Sequence, residues 1–293
     1  MIGRQFNTVI GYNMEKLIYL PSFLNPIKFD DLIRIGKQND GGYIVRRQDV
    51  VEAENLISLG VSFDWTFEKE FSKINKKIKL KTYDGSTGFK YFRKSCKTRL
   101  KNFLKNPNKL NLQRLYQRLK VTLDFCIFFR FNLSSQYKHT EKFVGKETRT
   151  FSEFEKNYGY KPEFIEFKDI VSNSHENVFL SIDIEGGEYD ILQYLHELTD
   201  NLIGLNIEFH NVDKNLDKIE KFIKKSNLLL IHTHINNFGS ISNDIPTVIE
   251  LSFSKNRNRN LTSESSMTNE LPISLDQPND KNGTDYSVKF KLH

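Results

Sequence analysis

Two cysteines, Cys96 and Cys126, are all that this chain of 293 residues contains. They are too few for a disulfide scaffold and lack metal-ligand spacing. Long apolar runs are also missing: the longest aromatic stretch, Phe125 to Phe131, is broken by Arg130 and falls far short of the roughly 18 residues of a membrane span. Arg4, Asn7, Asn13, Glu15 and Lys16 interrupt the first twenty residues, so no secretion signal is expected there. The compartment expected from these absences is the cytoplasm. Asn132, Asn260 and Asn282 open glycosylation-type triplets, which carry little weight in an Asn-rich chain without such a signal. No G-x-G-x-x-G occurs, which argues against a nicotinamide or flavin enzyme, and no G-x-x-x-x-G-K-[ST], which argues against a P-loop ATPase. No Asp-x-Asp stands at a plausible strand end, which argues against a glycosyltransferase.

The last absence is of negative charge. Gly85 to Leu123 holds no Asp or Glu but eleven basic residues: Lys90, Arg93, Lys94, Lys97, Arg99, Lys101, Lys105, Lys109, Arg114, Arg118 and Lys120. A solvated helical face is the plain reading of such a run. The functional reading is attraction of an anionic partner: a nucleotide-linked sugar, a phosphorylated glycan, RNA or an anionic membrane surface. With no Trp and two Tyr the block offers little for stacking on single-stranded RNA. DNA is not expected as a partner.

What is present is a core-forming composition, 38% apolar with 24 Phe and 12 Tyr, enough for one α/β domain with an insertion or two small domains. Residues 1–33 read as an irregular or helical lead-in, and Asp40-Gly41-Gly42-Tyr43 as a turn into a short strand. A strand at Asn55 to Leu59, a Gly60-Val61-Ser62 turn, a helix over Thr66 to Asn75 and a strand from Lys77 to Tyr83 form a βαβ opening. Helical leucine spacing then predicts two or three inserted helices over 88–138. Alternation resumes near Lys142 to Val144. Helices follow at 163–172, 187–198 and 214–226, and strands at 178–184, 203–209, 228–235 and 247–253. A polar loop spans Lys255 to Asn269, and the tail ends in a short apolar run before Phe290.

Chemistry-bearing residues gather at the expected strand ends, where open α/β sheets bind ligands. Gly60 permits close approach of a ligand, and Asp84 ends the next strand, where ribose hydroxyls are held in Rossmann-like proteins. Asp183, Glu185 and Glu188 crowd three carboxylates into six residues around Gly186-Gly187, so at least one needs a donor, a cation or a raised pKa. Glu188 alone is also explained as a helix-start acid. Glu208 and His210 share a face at the end of the neighbouring strand, where a carboxylate can orient a His as a base. Together with His234, the residues Asp183, Glu208 and His210 offer ligands for a divalent metal.

The chain resembles the FkbM-type family of S-adenosylmethionine-dependent methyltransferases. The resemblance lies in Arg34 to Tyr43, Ser58-Leu-Gly-Val-Ser-Phe-Asp-Trp-Thr-Phe-Glu68, Ile182-Asp-Ile-Glu-Gly-Gly-Glu188, Ile207-Glu-Phe-His210, the His232 to Gly239 segment and the tail from Leu271-Pro272 to Pro278. It covers most of the chain except about 88–138. It implies an α/β class I methyltransferase (Rossmann-like) fold: a mostly parallel seven-stranded sheet with its last strand antiparallel, here with a basic helical insertion after the second strand. On this reading residues 1–293 form a single methyltransferase domain, with 88–138 as a cap within it.

The implied activity is O-methyl transfer to a sugar hydroxyl of a glycan, polysaccharide or nucleotide-linked sugar, with S-adenosylmethionine as cofactor. Gly60, Val61, Ser62, Asp64, Asp84, Gly85, Asp183 and Glu185 are the expected cofactor residues. His210 is the expected base, assisted by Glu208, with Asp183 as electrostatic partner or alternative base. Tyr43, His234, Asn236 and Asn237 are expected at the acceptor, which the basic insertion would grip as an anion. Gly187 stands where the family commonly has Ala, and the insertion has no counterpart there. The rival readings are an RNA-binding protein or RNA methyltransferase, and a membrane-surface module docking through Lys90 to Arg130.

Overall fold

Short apolar runs that are too brief for a helix build the centre of the molecule. The computed structural model describes residues 16–130, 136–146, 155, 160–172, 176–195, 198, 201–255, 257, 267–268 and 270–291. Its strands, in chain order, are β1 (Lys16–Leu20), β2 (Leu32–Gly36), β3 (Gly42–Arg46), β4 (Asn55–Leu59), β5 (Lys79–Tyr83), β6 (Tyr137–Thr140), β7 (Phe143–Val144), β8 (Phe164–Ile165), β9 (Val178–Ile182), β10 (Leu202–His210), β11 (Leu228–Ile235), β12 (Ile241–Ser242), β13 (Ile245–Pro246), β14 (Val248–Lys255) and β15 (Tyr286–Phe290). The helices are α1 (Arg47–Glu52), α2 (Thr66–Ile74), α3 (Phe89–Lys105), α4 (Lys109–Phe125), α5 (Phe167–Val171), α6 (Glu188–Leu195) and α7 (Val212–Lys225).

Seven strands form one sheet in the order β11-β14-β10-β9-β4-β5-β6. All neighbours are parallel except β14, which runs antiparallel to both β10 and β11. This is the mostly parallel sheet, last strand reversed, that the sequence resemblance implied. β4 and β9 are buried along their whole length, as strands covered on both faces must be. Alternation divides their side chains between two cores. Ile57, Leu59, Leu180 and Ile182 pack with α5, α6 and α7 on one face. Leu56 and Phe179 pack with Phe67 and Phe71 of α2, with Tyr43 and Val45 of β3, and with Phe92 and Phe125 of the inserted helices on the other.

Several sequence expectations need correction. The lead-in is helical at Ser22–Leu24 and largely irregular up to β2, as expected, but Lys16–Leu20 is a strand: β1 pairs in parallel with β15, with Leu20 buried and Leu17 and Tyr19 exposed, a strand's period. Residues 1–15 lie outside the described residues. The helix expected over 163–172 is helical only at Phe167–Val171, because Phe164 and Ile165 pair with Phe143 and Val144 as β8 and β7. The helices expected in the basic block are α3 and α4, followed by a π-turn at Cys126–Arg130. Tyr137 and Lys138, included in the insertion by sequence, belong to the central sheet. Most of the loop expected at 255–269 lies outside the described residues, as do Asn132, Asn260 and 196–197 of the helix expected at 187–198.

Candidate active site at the switch point of the sheet

β4 opens the sheet's sequence and β9 is its fourth strand, yet they are neighbours. At their carboxyl ends the chain leaves toward opposite faces, into α2 from β4 and into α6 from β9, which opens the crevice expected at such a switch point. Two cavities meet there. One, of about 300 Å³, is bordered by Lys37, Asp40, Tyr43, Asp64 and Glu68. The other, of about 420 Å³, is bordered by Asp84, Ser86, Phe143, Phe164 and Glu185. Gly60, Ser62 and Asp183 line both.

The floor is built by the turn after β4. Gly60 has φ +81°, and a methyl group there would overlap the Asp183 carbonyl oxygen, so only glycine lets the two strand ends close. Ser62 donates its backbone N–H to Asp84 Oδ2 at 2.6 Å. Ser86 gives Oδ1 of Asp84 its N–H and hydroxyl at 2.6 and 2.7 Å. The Thr87 hydroxyl closes on the Ser62 carbonyl. Asp84 is thereby buried and fixed at the cavity edge. Asp64 accepts from the Thr66 N–H and hydroxyl at the start of α2 and faces Lys37 at 3.4 Å. Val61 lines the first cavity, whereas Gly85 lines neither and instead lets the Phe143 ring pack against the backbone.

The acidic cluster separates into different roles. Asp183 Oδ1 is buried with no hydrogen-bond partner among the described residues. Burial, with the negative charges of Glu208 and Glu185, raises its pKa well above the ordinary carboxylate range. Glu185, expected to share that face, sits in a left-handed turn (φ 53°) with its side chain 84% exposed. Glu188, explicable from sequence as a helix-start acid, is fully buried. Its Oε1 accepts from the Ile184 and Gly186 amides at 3.2 and 3.0 Å and from His210 Nδ1 at 3.2 Å.

His210 is held on both sides. Its Nε2 lies 3.3 Å from Glu208 Oε1 and 3.4 Å from Glu185 Oε2. Burial opposes its charge, but hydrogen bonds to Glu188 and Glu208 outweigh it and push the pKa up to about 11. Burial also raises Glu208, to about 7. An imidazolium bound between carboxylates has no lone pair to offer at neutral pH, and His210 lines neither cavity. One ligand atom each of Asp183, Glu188 and His210 lies within 4.8 Å of the others, so these three could converge on a divalent cation. Glu208 and His234, expected among the ligands, are not part of that set, and Glu188 takes their place.

The acceptor residues expected from sequence divide in the same way. Tyr43 borders the first cavity, its pKa raised well above the usual phenol range by burial and by the charges of Asp183 and Glu208. His234 is clamped instead between Glu250 at 3.3 Å and Asp285 at 3.1 Å. Asn236 donates to Glu208 at 3.2 Å, and Asn237 accepts the Asp280 N–H at 2.6 Å. None of these three borders either cavity. His234 and Asn237 fasten the tail to the sheet, while Asn236 ties the end of β11 to β10, because polar groups on a covered strand must find partners.

Sequence reasoning missed a polar band beneath β3. Ser58, Ser181, Asn206, Ser252 and His232 stand opposite one another across five strands. Glu208, Glu250 and His234 form a second row. Asn206 donates to Ser181 at 2.8 Å. Burial raises Glu68, which lies over Ser58, to about 7. The signal was available in part: polar residues recur at every second position in β10, β11 and β14, whereas β4 and β9 each add a single serine to the band. Phe143 and Phe164, which wall the second cavity, carried no such signal.

No family model matches the chain, and no curated protein matches it. Among solved structures it is similar to a Methanococcus jannaschii fibrillarin pre-rRNA processing protein, at 11% identity and TM-score 0.33, over 78% of this chain and 83% of that one. It is also similar to a METTL16 MTase domain (9%, TM-score 0.34, 71% and 61%) and to a precorrin-6y C5,15-methyltransferase from Geobacter metallireducens (10%, TM-score 0.31, 71% and 87%). At overlap this low the fold rests on strand order and register themselves, which define an α/β, Rossmann-like protein of the class I methyltransferase arrangement.

Proposed function

We propose that this chain is an S-adenosylmethionine-dependent O-methyltransferase acting on a sugar hydroxyl of a glycan, polysaccharide or nucleotide-linked sugar. The observation that carries the reading is the pair of cavities joined at Gly60, Ser62 and Asp183, with the fixed Asp84 carboxylate in one and Tyr43 in the other. The FkbM-type motifs contribute the sugar acceptor.

The residues present fit the cofactor. Asp84 would hold the ribose hydroxyls, Phe143 and Phe164 would flank the base, and Gly60 allows the chain close to the methionine portion. Unpartnered buried Asp183 oxygen suits a neighbouring positive sulfur. When bound, the cofactor supplies an electrophilic methyl group. The chain's own task is to hold the acceptor hydroxyl in line, exclude water and take its proton. Asp183 takes the proton, since it borders both cavities and its buried Oδ1 has no hydrogen-bond partner among the described residues. His210, already protonated, holds Glu188 and Glu208 beside it, so its role shifts from base to positioning residue.

The test is calorimetric titration of S-adenosylhomocysteine into the wild type and the Asp84→Ala variant. Micromolar binding lost in the variant is the expected result. No binding by a folded wild type overturns the cofactor assignment.

A further inference from the structure

We propose that the face of the α3–α4 hairpin turned away from the sheet rests on an anionic lipid surface. The inference is independent of the methyltransferase reading. The two helices pack chiefly on each other, with Cys96 Sγ 3.4 Å from Thr122 Oγ1 across the seam. Phe92 and Phe125 are buried against Trp65 and the sheet, yet beyond them, from 97 to 117, only Leu115 is buried.

The exposed side is apolar. On α4, Leu112, Tyr116, Leu119 and Leu123 are 50–66% exposed, and Ile127 extends the line into the π-turn. Their spacing of three and four residues makes one stripe, roughly 40–100° around the axis from Leu115 at about 100° per residue. On α3, Leu100 and Leu104 are 47% and 70% exposed and lie roughly 80–120° around from Phe92. The helices are antiparallel, so equal rotations from the shared seam carry both stripes to the same side of the hairpin. Lys97 and Lys101 come next around α3, and Lys109 and Lys120 next around α4, all exposed. The result is a leucine strip with lysines along both borders.

Charge selects the occupant. Between Gly85 and Leu123 there is no acid. Asp124, which follows, is 2.5 Å from Lys69. A second copy laid strip to strip would set four bordering lysines against four, with no acid between Gly85 and Leu123 on either copy to offset them. RNA would satisfy the lysines but leave the leucines in water. A bilayer with acidic headgroups satisfies both: leucines enter the acyl boundary while lysines stay among the phosphates. No described helix is long and apolar enough to cross a membrane, in keeping with a hairpin that lies on the surface.

The experiment is co-sedimentation of the full chain with phosphatidylcholine vesicles, with or without about one third phosphatidylserine, at about 0.1 M salt. The expected result is at least tenfold stronger partitioning to the anionic vesicles. The combined Leu112→Gln, Leu119→Gln and Leu123→Gln variant should lose that tenfold while keeping the wild-type melting temperature. A Lys97→Gln, Lys101→Gln, Lys109→Gln and Lys120→Gln variant should lose the preference for anionic lipid. Equal recovery with both vesicles, no recovery with either, or unchanged binding by the leucine variant would overturn the proposal. So would a wild-type dimer in sedimentation equilibrium that the leucine variant abolishes, or poly-uridylate binding without vesicle binding. S-Adenosylhomocysteine titration of the leucine variant keeps this outcome separate from that of the methyltransferase reading.

Discussion

At Gly60 a single hydrogen atom stands between two strand ends. The same glycine type with the same sign of φ recurs at Gly186 (φ +92°), where the nearest atom a methyl would meet is 3.7 Å away. The pair separates steric closure from backbone preference. Gly60→Ala is expected to cost roughly 2–4 kcal/mol in denaturant unfolding and to abolish S-adenosylhomocysteine binding. Gly186→Ala is expected to cost only about 1 kcal/mol. Equal losses would mean that the close approach to Asp183 is unimportant. The same scale decides the base. Asp183→Asn is expected to lower turnover roughly 100-fold or more with affinity for S-adenosylhomocysteine, whose sulfur is uncharged, nearly unchanged. His210→Gln, which leaves Glu188 and Glu208 without their shared cation, is expected to act first on the melting temperature. If His210→Gln loses the turnover and Asp183→Asn does not, the base is His210. Sequence alone brought both residues to one strand-end cluster, but could not tell that both ring nitrogens of His210 are engaged. That answer came from Glu188, a residue explicable from sequence as an ordinary helix-start acid.

Among the elements, those that face two cores were the most legible. β4 and β11 have the bounds read from the sequence, because both strands are covered on both faces and carry long apolar runs, Leu56-Ile57 with Leu59 and Leu228 to Ile231. β8 was read as helix because two residues carry no period, and its partner β7 lies twenty residues away. β1 was missed for a similar reason, its partner being the last strand of the chain. The tail was legible only as a stretch ending in a short apolar run, yet it is a strap. Asp276 holds His232 at 3.1 Å, Asp285 holds His234, and Asn279 donates to Glu250 at 2.6 Å. Gln277 and the Pro278 carbonyl accept from Asn39, tying the β2–β3 turn to the sheet.

The strap carries a pH signature. Burial opposes the charge on His234, but hydrogen bonds to Asp285 and Glu250 push it from 6.5 up to about 10. A raised His stabilises fully below its unfolded pKa, and that stability is lost as pH rises toward the folded value. Asp276 has the opposite sign: despite burial, the charge of His232 holds it below its ordinary 3.8, so its contribution is lost in acid. Asp49, raised by burial to about 6, and Glu68 and Glu208, raised to about 7, weaken the fold as they ionise, but that loss is complete near pH 8. Melting between pH 8 and 10 therefore reads His234 and His210, together with Asp183, which burial raises well above the ordinary carboxylate range. The expected outcome is a melting temperature that falls across this window, with a clearly shallower fall in His234→Gln. Parallel curves for the two proteins would remove His234 from the strap.

For the whole molecule, the inserted hairpin has two parts with different duties. Its base is core: Phe92 and Phe125 are nearly inaccessible, their rings 5.1 Å apart, and Phe125 meets Trp65 edge-on at 5.5 Å. Arg118 lies over Phe63, which borders the first cavity, so the base also reaches the edge of the site. No residue of α3 or α4 lines either cavity, so the arm does not cap the crevice in the way the sequence expectation placed it. Phe92→Ala should cost roughly 3–5 kcal/mol, as truncation of a buried aromatic does. Replacing 99–116 by a short Gly-Ser turn removes no residue of either core cluster. That shortened protein is expected to melt within a few degrees of wild type and to bind S-adenosylhomocysteine equally well, because its site and both cores are untouched. A large drop in either quantity would mean that the arm closes over the crevice when ligand is present. An arm that can be removed without consequence for fold or cofactor must owe its leucines and lysines to something outside the molecule.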